Sequence, residues 1–278
     1  MNHMAASPVT FFGAQTNMGQ QLSCNLFLLC PNNSGSTYLS KAMGTSPNIW
    51  SLSREGQHAL GFVGPITQRD NALIWAADKA SLDRIVDPAI FNWSQNKKTW
   101  YFQAQAHSAD ARVFFTKAPP FLAYAEMLKQ NFANTRFLIM VRNPYAVIEA
   151  IVRRRGPGTT DLDALLHIAT RHILACLEMQ RENQRRYRGI STFFTYEDMC
   201  AEPIRIADQI KAHVPEIKEL NLDQKLLVKH DYNERLRNMN DEQISRLTQA
   251  QLEAINALME PHQSLLAHFG YELITRAR

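Results

Sequence analysis

The sequence predicts an α/β fold in which helices cover a central parallel sheet. Short apolar runs, each long enough for one buried strand, alternate with segments of helical periodicity, and this alternation is typical of such a sheet. The chain has 278 residues, of which 45% are hydrophobic and 20% charged, as in one large globular domain. Because no repeat or boundary interrupts the pattern, we predict a single domain over residues 1–278, with residues 1–20 as an N-terminal extension.

Each predicted strand ends at a polar break, and most are followed by a helix. Apolar residues spaced by three and four predict the longest helix, which Gly189 ends. Thr248 and Gln251 have the spacing of a capping box and begin another. The predicted strands are 24–30, 113–116, 136–141 and 190–195, and the predicted helices are 38–43, 121–129, 145–155, 162–187, 204–213 and a helix that ends at Met259. Residues 50–110 have a weak pattern that predicts helices and loops.

Composition excludes several classes of protein. Thirty Lys and Arg against 26 Asp and Glu give a net charge of +4, which suits a small polyanionic ligand but does not favour nucleic acid. The cysteines have neither zinc-site nor disulfide spacing, so we expect buried thiols in a reducing compartment; they are Cys24, Cys30, Cys176 and Cys200. No secretory leader or membrane span is apparent, which predicts a cytoplasmic protein.

The segment between the first strand and its helix has the composition of an anion-binding loop. It reads Pro-Asn-Asn-Ser-Gly-Ser-Thr over residues 31–37. Gly35 permits a tight turn, and small hydroxyl side chains fall where the helix dipole is positive. The loop predicts a phosphate site.

This loop differs from the Walker A sequence, which requires a Lys directly after its last glycine. A magnesium-dependent kinase also needs an Asp at a neighbouring strand end, where this chain has Arg142 instead. The residues therefore predict that protein side chains, and no metal, neutralise the ligand.

Four segments in order resemble those of the sulfotransferases that use 3′-phosphoadenosine 5′-phosphosulfate (PAPS). They are the loop at 31–37, Phe-Leu-Ile-Met-Val-Arg-Asn-Pro at 137–144, Thr-Tyr-Glu-Asp-Met at 195–199 and Phe-Gly-Tyr-Glu at 269–272. The resemblance covers residues 22 to 275, apart from 50–110. It implies a P-loop-like fold and transfer of a sulfonate, without a metal, to a hydroxyl or amine of a small-molecule or carbohydrate acceptor.

The resemblance also implies roles for individual residues. Arg142 pairs with the 3′-phosphate, Tyr196 lies near the adenine or that phosphate, and Lys229 belongs to a segment that closes over the nucleotide. The resemblance assigns the 5′-phosphosulfate end to Ser34, Gly35, Ser36 and Thr37, and cofactor binding in general also to their neighbours Asn33 and Tyr38. Residues 50–110, which carry no family signal, are expected to form an acceptor-binding insertion.

Lys117 matches the lysine that stabilises the charge on the leaving oxygen. The expected general base is Glu55, provided that its surroundings raise its pKa toward neutrality, with His58 as the substitute.

The chain departs from the family pattern at two positions. Asn33 stands where many members have Lys or Arg, and Ala150 stands where a Ser usually binds the 3′-phosphate. Arg154, one helical turn beyond Ala150, is expected to supply charge there. Two alternatives stay open at this point: a phosphotransferase that uses magnesium and ATP, and a nucleotide-binding module without catalysis.

Overall fold

A five-stranded parallel sheet forms the centre of the chain, with strand order β2-β3-β1-β4-β5. The computed structural model describes residues 22–67, 72–105, 111–228 and 232–276. The strands are β1 (Cys24–Leu29), β2 (Ile49–Ser51), β3 (Val113–Lys117), β4 (Thr135–Val141) and β5 (Ser191–Thr195). A separate antiparallel hairpin pairs β6 (Leu226–Val228) with β7 (Tyr232–Glu234). The predicted fold class is therefore confirmed.

Eleven α-helices lie in the described part of the chain. They are α1 (Ser36–Gly44), α2 (Lys79–Ile85), α3 (Trp93–Ala104), α4 (Ala125–Asn131), α5 (Pro144–Arg155), α6 (Leu162–Arg186), α7 (Tyr196–Ala201), α8 (Pro203–His213), α9 (Asn240–Ile244), α10 (Gln249–Met259) and α11 (Gln263–His268). The predicted capping box is present, because Thr248 and Gln251 each accept a hydrogen bond from the other's backbone N–H. No helix in this described part is both long enough and apolar enough to cross a membrane.

Alternate residues of the strands enter two separate cores, one on each face of the sheet. In β1, Phe27 and Leu29 belong to a core with the aromatic residues of α3 and the aliphatic residues of α4, whereas Leu26 and Leu28 belong to a core with α1 and α8. Strands buried on both faces read as continuous apolar runs, which is why the sequence predicted them well. A third cluster joins α5 and α6 to the C-terminal helices.

Residues 50–110 contain most of a strand and two α-helices that the weak hydrophobic pattern of this region did not locate. It begins in β2, a strand too short to predict, and continues through α2 and α3. Trp75 and Trp100 are fully buried, so these aromatic residues serve packing. His172 of α6 accepts a hydrogen bond from the Ala76 N–H at 3.1 Å, and burial lowers the His172 pKa to about 3. This neutral imidazole attaches the region to the long helix.

Buried amides also fix the carboxyl ends of the central strands. Gln180 of α6 donates to the carbonyls of Leu29 at 2.7 Å and of Met140 at 3.1 Å, which are the last residue of β1 and the penultimate residue of β4. Asn183, one turn along, donates to the Leu122 carbonyl at 2.9 Å. The long helix therefore holds in register the strand ends from which the functional residues project.

Candidate active site

The residues that the sequence singled out meet at the carboxyl edge of the sheet. A cleft of 770 Å³ lies there, in the position where open α/β sheets bind ligands. The predicted residues that line it are Asn33, Gly35, Ser36, Thr37, Tyr38, Glu55, His58, Lys117, Arg142, Arg154 and Tyr196. Ser34 does not line the cleft, since it is fully buried, and Lys229 lies outside the described residues.

The loop after β1 has the backbone geometry of an anion cradle. Gly35 has φ +82° and precedes α1 without a side-chain cap, so the first N–H groups of that helix keep no intrahelical partner. A Cβ atom at this position would lie 2.6 Å from Cδ2 of Tyr196. Only glycine therefore allows both the left-handed turn and the close approach of the tyrosine ring.

Two hydroxyl side chains of this segment, those of Ser34 and Tyr38, have backbone carbonyl partners. The Ser34 hydroxyl lies 3.4 Å from the Asn32 carbonyl, so it does not face the cleft. The Tyr38 hydroxyl lies 2.7 Å from the Gln224 carbonyl and 2.9 Å from that of Leu222. The predicted contribution of the Ser34 hydroxyl to the anion site is thus corrected, because Ser34 shapes the loop. The Tyr38 side chain anchors the segment before β6.

Arg142 follows β4 and is held in place by three hydrogen bonds. Its guanidinium donates to the Asn33 carbonyl at 2.8 Å, to Oδ1 of Asn240 at 2.8 Å and to Oε1 of Gln243. It also lies 4.2 Å from the centre of the Tyr196 ring. A guanidinium has five N–H groups, so two remain for a ligand. Burial lowers the Arg142 pKa, although an arginine stays protonated.

Sequence reasoning missed the side chains that orient this arginine. Asn240 and Gln243 are three residues apart in α9, and therefore share one face of that helix. Glu197 in turn accepts hydrogen bonds from the Asn240 side chain at 2.5 Å and from the Tyr271 hydroxyl at 3.0 Å. A polar i, i+3 pair in a short helix is too common to have revealed this support.

Asn33 joins two arginines. Its carbonyl accepts from Arg142, and its side-chain Oδ1 accepts from the Arg154 guanidinium at 2.8 Å. Arg154 has no acidic partner among the described side chains, whereas its neighbour Arg153 pairs with Glu149 at 2.9 Å. Asn33, which stands where many family members have Lys or Arg, thus positions Arg154 of α5 instead.

Lys117, the last residue of β3, is paired with Glu55. Its ammonium nitrogen lies 2.6 Å from Oε1 of Glu55, and its side chain is only 7% exposed. The other carboxylate oxygen accepts a hydrogen bond from Gln57 at 2.9 Å and lies 3.8 Å from Nε2 of His58. Glu55 therefore lies beside the predicted catalytic lysine, and His58 lies beside Glu55.

The pKa of Glu55 corrects one expectation. Burial is the largest influence and raises the pKa, but the charge and hydrogen bond of Lys117, the hydrogen bond of Gln57 and the charge of His58 together outweigh it. The Glu55 pKa is therefore lowered, not raised toward neutrality, because the ion pair with Lys117 stabilises the carboxylate.

A second cavity of 420 Å³ lies on the other side of this ion pair. It shares Thr37, Glu55 and Lys117 with the first cleft. The Lys117–Glu55 pair is thus a common wall between two spaces.

The fold and this edge define an α/β protein with a glycine-containing loop after its central strand, and comparison with known proteins specifies the family. The sequence pattern of the sulfotransferase family matches residues 25–216, so the chain belongs to the sulfotransferase family. The predicted family is confirmed. No curated protein sequence matches the chain.

Solved structures agree on the fold. The sulfotransferase domain from the curacin biosynthetic pathway is 16% identical, with a TM-score of 0.52 over 90% of this chain and 98% of that one. The sulfotransferase domain of the Synechococcus PCC 7002 olefin synthase is 18% identical, with a TM-score of 0.51 over 91% and 96%. A sulfotransferase from Alicyclobacillus acidocaldarius is 14% identical, with a TM-score of 0.50 over 85% and 95%.

Proposed function

We propose that the protein transfers a sulfonate group from PAPS to a hydroxyl or amine of a small-molecule or carbohydrate acceptor. The observation that carries this proposal is that one cleft brings together the glycine loop, Arg142 and Lys117. These groups match the three charged parts of the donor: the 5′-phosphate, the 3′-phosphate and the sulfonate.

The residues present fit such a donor. The cleft volume of 770 Å³ is within the range of nucleotide-sized ligand sites. Asn33 Nδ2 is a buried donor with no hydrogen-bond partner among the described residues, at the point where the loop meets two guanidinium groups. A phosphate oxygen is the acceptor that such a donor requires.

We assign the 3′-phosphate to Arg142 and Arg154, which Asn33 holds beside each other. The helix N-terminus after Gly35, with the side chains of Ser36 and Thr37, takes the 5′-phosphosulfate. Tyr196 packs against the nucleoside, since its ring already forms one wall of the loop.

PAPS supplies an activated sulfonate whose sulfur–oxygen bond to the phosphate breaks as the bond to the acceptor forms. Lys117 stabilises the charge that grows on the bridging oxygen. Glu55 accepts the proton of the acceptor hydroxyl. When Lys117 turns from Glu55 to the sulfonate, the carboxylate loses the charge and hydrogen bond of the lysine. Burial is then the dominant influence, and the Glu55 pKa rises. The ion pair therefore keeps the base unprotonated until the lysine has another partner.

Calorimetric titration with 3′-phosphoadenosine 5′-phosphate, beside ATP, tests the donor assignment. Each nucleotide is titrated with magnesium and with EDTA, into wild type, Arg142→Ala and the exposed control Arg188→Ala. Micromolar binding of 3′-phosphoadenosine 5′-phosphate that survives EDTA and weakens only in Arg142→Ala supports the proposal. Binding of ATP alone, and only with magnesium, would instead indicate a phosphotransferase. Thermal unfolding of each variant shows whether the Arg142 network is also needed for folding.

A further inference from the structure

The second cavity has a lining that suits a ligand of definite chemistry. Helix α1 presents one face to it, the end of β2 forms a second side, and the β6 strand closes a third. Its lining residues are Thr37, Ser40, Lys41, Gly44, Thr45, Ser51, Leu52, Ser53, Arg54, Glu55, Lys117, Leu226 and Leu227. Five of these carry hydroxyl groups, and none of the described lining residues is aromatic. Such a wall offers hydrogen-bond partners to a hydroxylated ligand.

The charges of this lining are not balanced. Glu55 and Lys117 neutralise each other at 2.6 Å, which leaves the two exposed cations Lys41 and Arg54. Lys41 donates to the Leu227 carbonyl, and neither cation has an acidic partner among the described residues. A guanidinium without a partner beside hydroxyl groups is suited to bind a carboxylate through two parallel hydrogen bonds.

The order of the strands places this cavity beyond the donor. The donor residues Tyr196, Arg142 and the glycine loop follow β5, β4 and β1, which are consecutive neighbours in the sheet. Lys117 ends β3, the next strand, and the cavity begins at the end of β2, the last strand on that side. A donor that runs from β5 toward β3 therefore directs its sulfonate toward the second cavity.

We infer that the second cavity is the acceptor site and that the acceptor is a hydroxyl compound bearing a carboxylate, which Arg54 and Lys41 bind. This inference rests on the proposed function. The acceptor hydroxyl meets Glu55 and Lys117 at the shared wall. Its oxygen forms the new bond to sulfur, its proton passes to Glu55, and the electron pair of the broken bond stays on the 5′-phosphate of the donor.

A matched pair of probes tests the inference. The compounds para-nitrophenyl β-D-glucuronide and para-nitrophenyl β-D-glucoside differ only in a carboxylate against a hydroxymethyl group. Each is titrated calorimetrically into protein saturated with 3′-phosphoadenosine 5′-phosphate, and each is offered as acceptor with radiolabelled PAPS. The variants are Arg54→Gln, Arg54→Lys and the control Arg171→Ala, which changes an exposed arginine that lines neither cavity.

The expected result is binding of the glucuronide about tenfold tighter than the glucoside, as for one charge-assisted contact. Arg54→Gln removes this preference, Arg54→Lys retains part of it, and Arg171→Ala leaves it intact. Transfer to the glucuronide shows the same dependence through KM, with little change in kcat.

Three results overturn the inference: equal binding of the two probes, no binding of the glucuronide, and a preference that survives in Arg54→Gln. A fall in nucleotide affinity in Arg54→Gln also overturns it, because the cavity would then belong to the donor. Failure of wild type to bind 3′-phosphoadenosine 5′-phosphate is a different result, since it contradicts the proposed function itself.

Discussion

The Lys117 ammonium nitrogen lies 2.6 Å from Oε1 of Glu55, so the proposed stabiliser of the leaving oxygen and the proposed base are paired with each other. Each group controls the other. The lysine lowers the carboxylate pKa, and the carboxylate compensates the charge of a lysine side chain that is almost buried. A ligand that attracts Lys117 therefore raises the Glu55 pKa, which couples donor binding to base strength.

Replacement of this lysine tests its catalytic role. Lys117→Ala is expected to lower turnover by about 10²–10³, the usual cost of losing one preorganised transition-state donor. Affinity for 3′-phosphoadenosine 5′-phosphate, which lacks the sulfonate, is expected to change little. Lys98→Ala, at an exposed position in α3, is the control. Turnover near that of wild type in Lys117→Ala contradicts the role.

The pH dependence tests the pairing. The Glu55 pKa is lowered in the free enzyme, so log kcat/KM is expected to stay level from neutral pH down to the ordinary glutamate value of 4.5 and to fall only below it. In the enzyme with bound donor, Lys117 has turned away from Glu55 and the Glu55 pKa is higher. On acidification, kcat is therefore expected to begin to fall at a higher pH than kcat/KM does. The measurement is a pair of pH–rate profiles, and a kcat/KM limb near neutrality would contradict it.

The same shift affects stability. A carboxylate whose pKa is lower in the folded state stabilises the fold above its unfolded pKa, and this contribution is lost as pH falls through the folded value. The difference in unfolding free energy between wild type and Glu55→Gln is therefore expected to be largest above pH 4.5 and to shrink below it. Denaturant titrations at several pH values measure this difference. A difference that grows as the pH falls would contradict the lowered pKa of Glu55.

A fourth test concerns Arg154, the cation of α5 that Asn33 positions beside the loop. Arg154→Ala is expected to weaken binding of 3′-phosphoadenosine 5′-phosphate about tenfold, since one charge-assisted contact is lost, but to leave AMP binding unchanged. Adding Ala150→Ser to Arg154→Ala is expected to restore part of the affinity by supplying the hydroxyl that the family pattern has there. Arg171→Ala, which changes an exposed arginine that lines neither cavity, is the control. If Arg154→Ala lost equal affinity for 3′-phosphoadenosine 5′-phosphate and for AMP, Arg154 would not be a ligand of the 3′-phosphate.

Glycine substitutions separate two reasons for the loop's shape. Gly35→Ala introduces both a left-handed backbone strain and a Cβ atom 2.6 Å from Tyr196. Gly270→Ala has the same strain, with φ +79°, but no neighbour within 4 Å, and Gly158→Ala has neither. We expect losses of about 1–2 kcal/mol in unfolding free energy for Gly270→Ala, none for Gly158→Ala and more for Gly35→Ala.

Nucleotide titration completes that comparison. Only Gly35→Ala is expected to lose binding of 3′-phosphoadenosine 5′-phosphate, because only that change displaces the tyrosine ring from the loop. Equal nucleotide affinity in Gly35→Ala and Gly270→Ala would show that the close approach of Tyr196 does not matter for the site.

The sequence by itself determined the sheet, the loop and the residues at the strand ends. Strands buried on both faces leave continuous apolar runs, and the residues that end β1, β3 and β4 follow those runs directly. For this reason the sequence predicted the positions of Lys117 and Arg142 at strand ends and of Gly35 in the loop after β1, while their roles stay predictions. The short β2 strand and the α9 helix carry too few residues to produce a pattern, and they were missed.

Only the tertiary structure decided which side chains meet. Asn33 and Arg154 are 121 residues apart, Arg142 and Asn240 are 98 apart, and Lys117 and Glu55 are 62 apart. Such contacts depend on how helices pack against the sheet, which local propensity does not encode. The lowered pKa of Glu55 follows from one of them, because a carboxylate's proton affinity is set by the charges around it rather than by its neighbours in the chain.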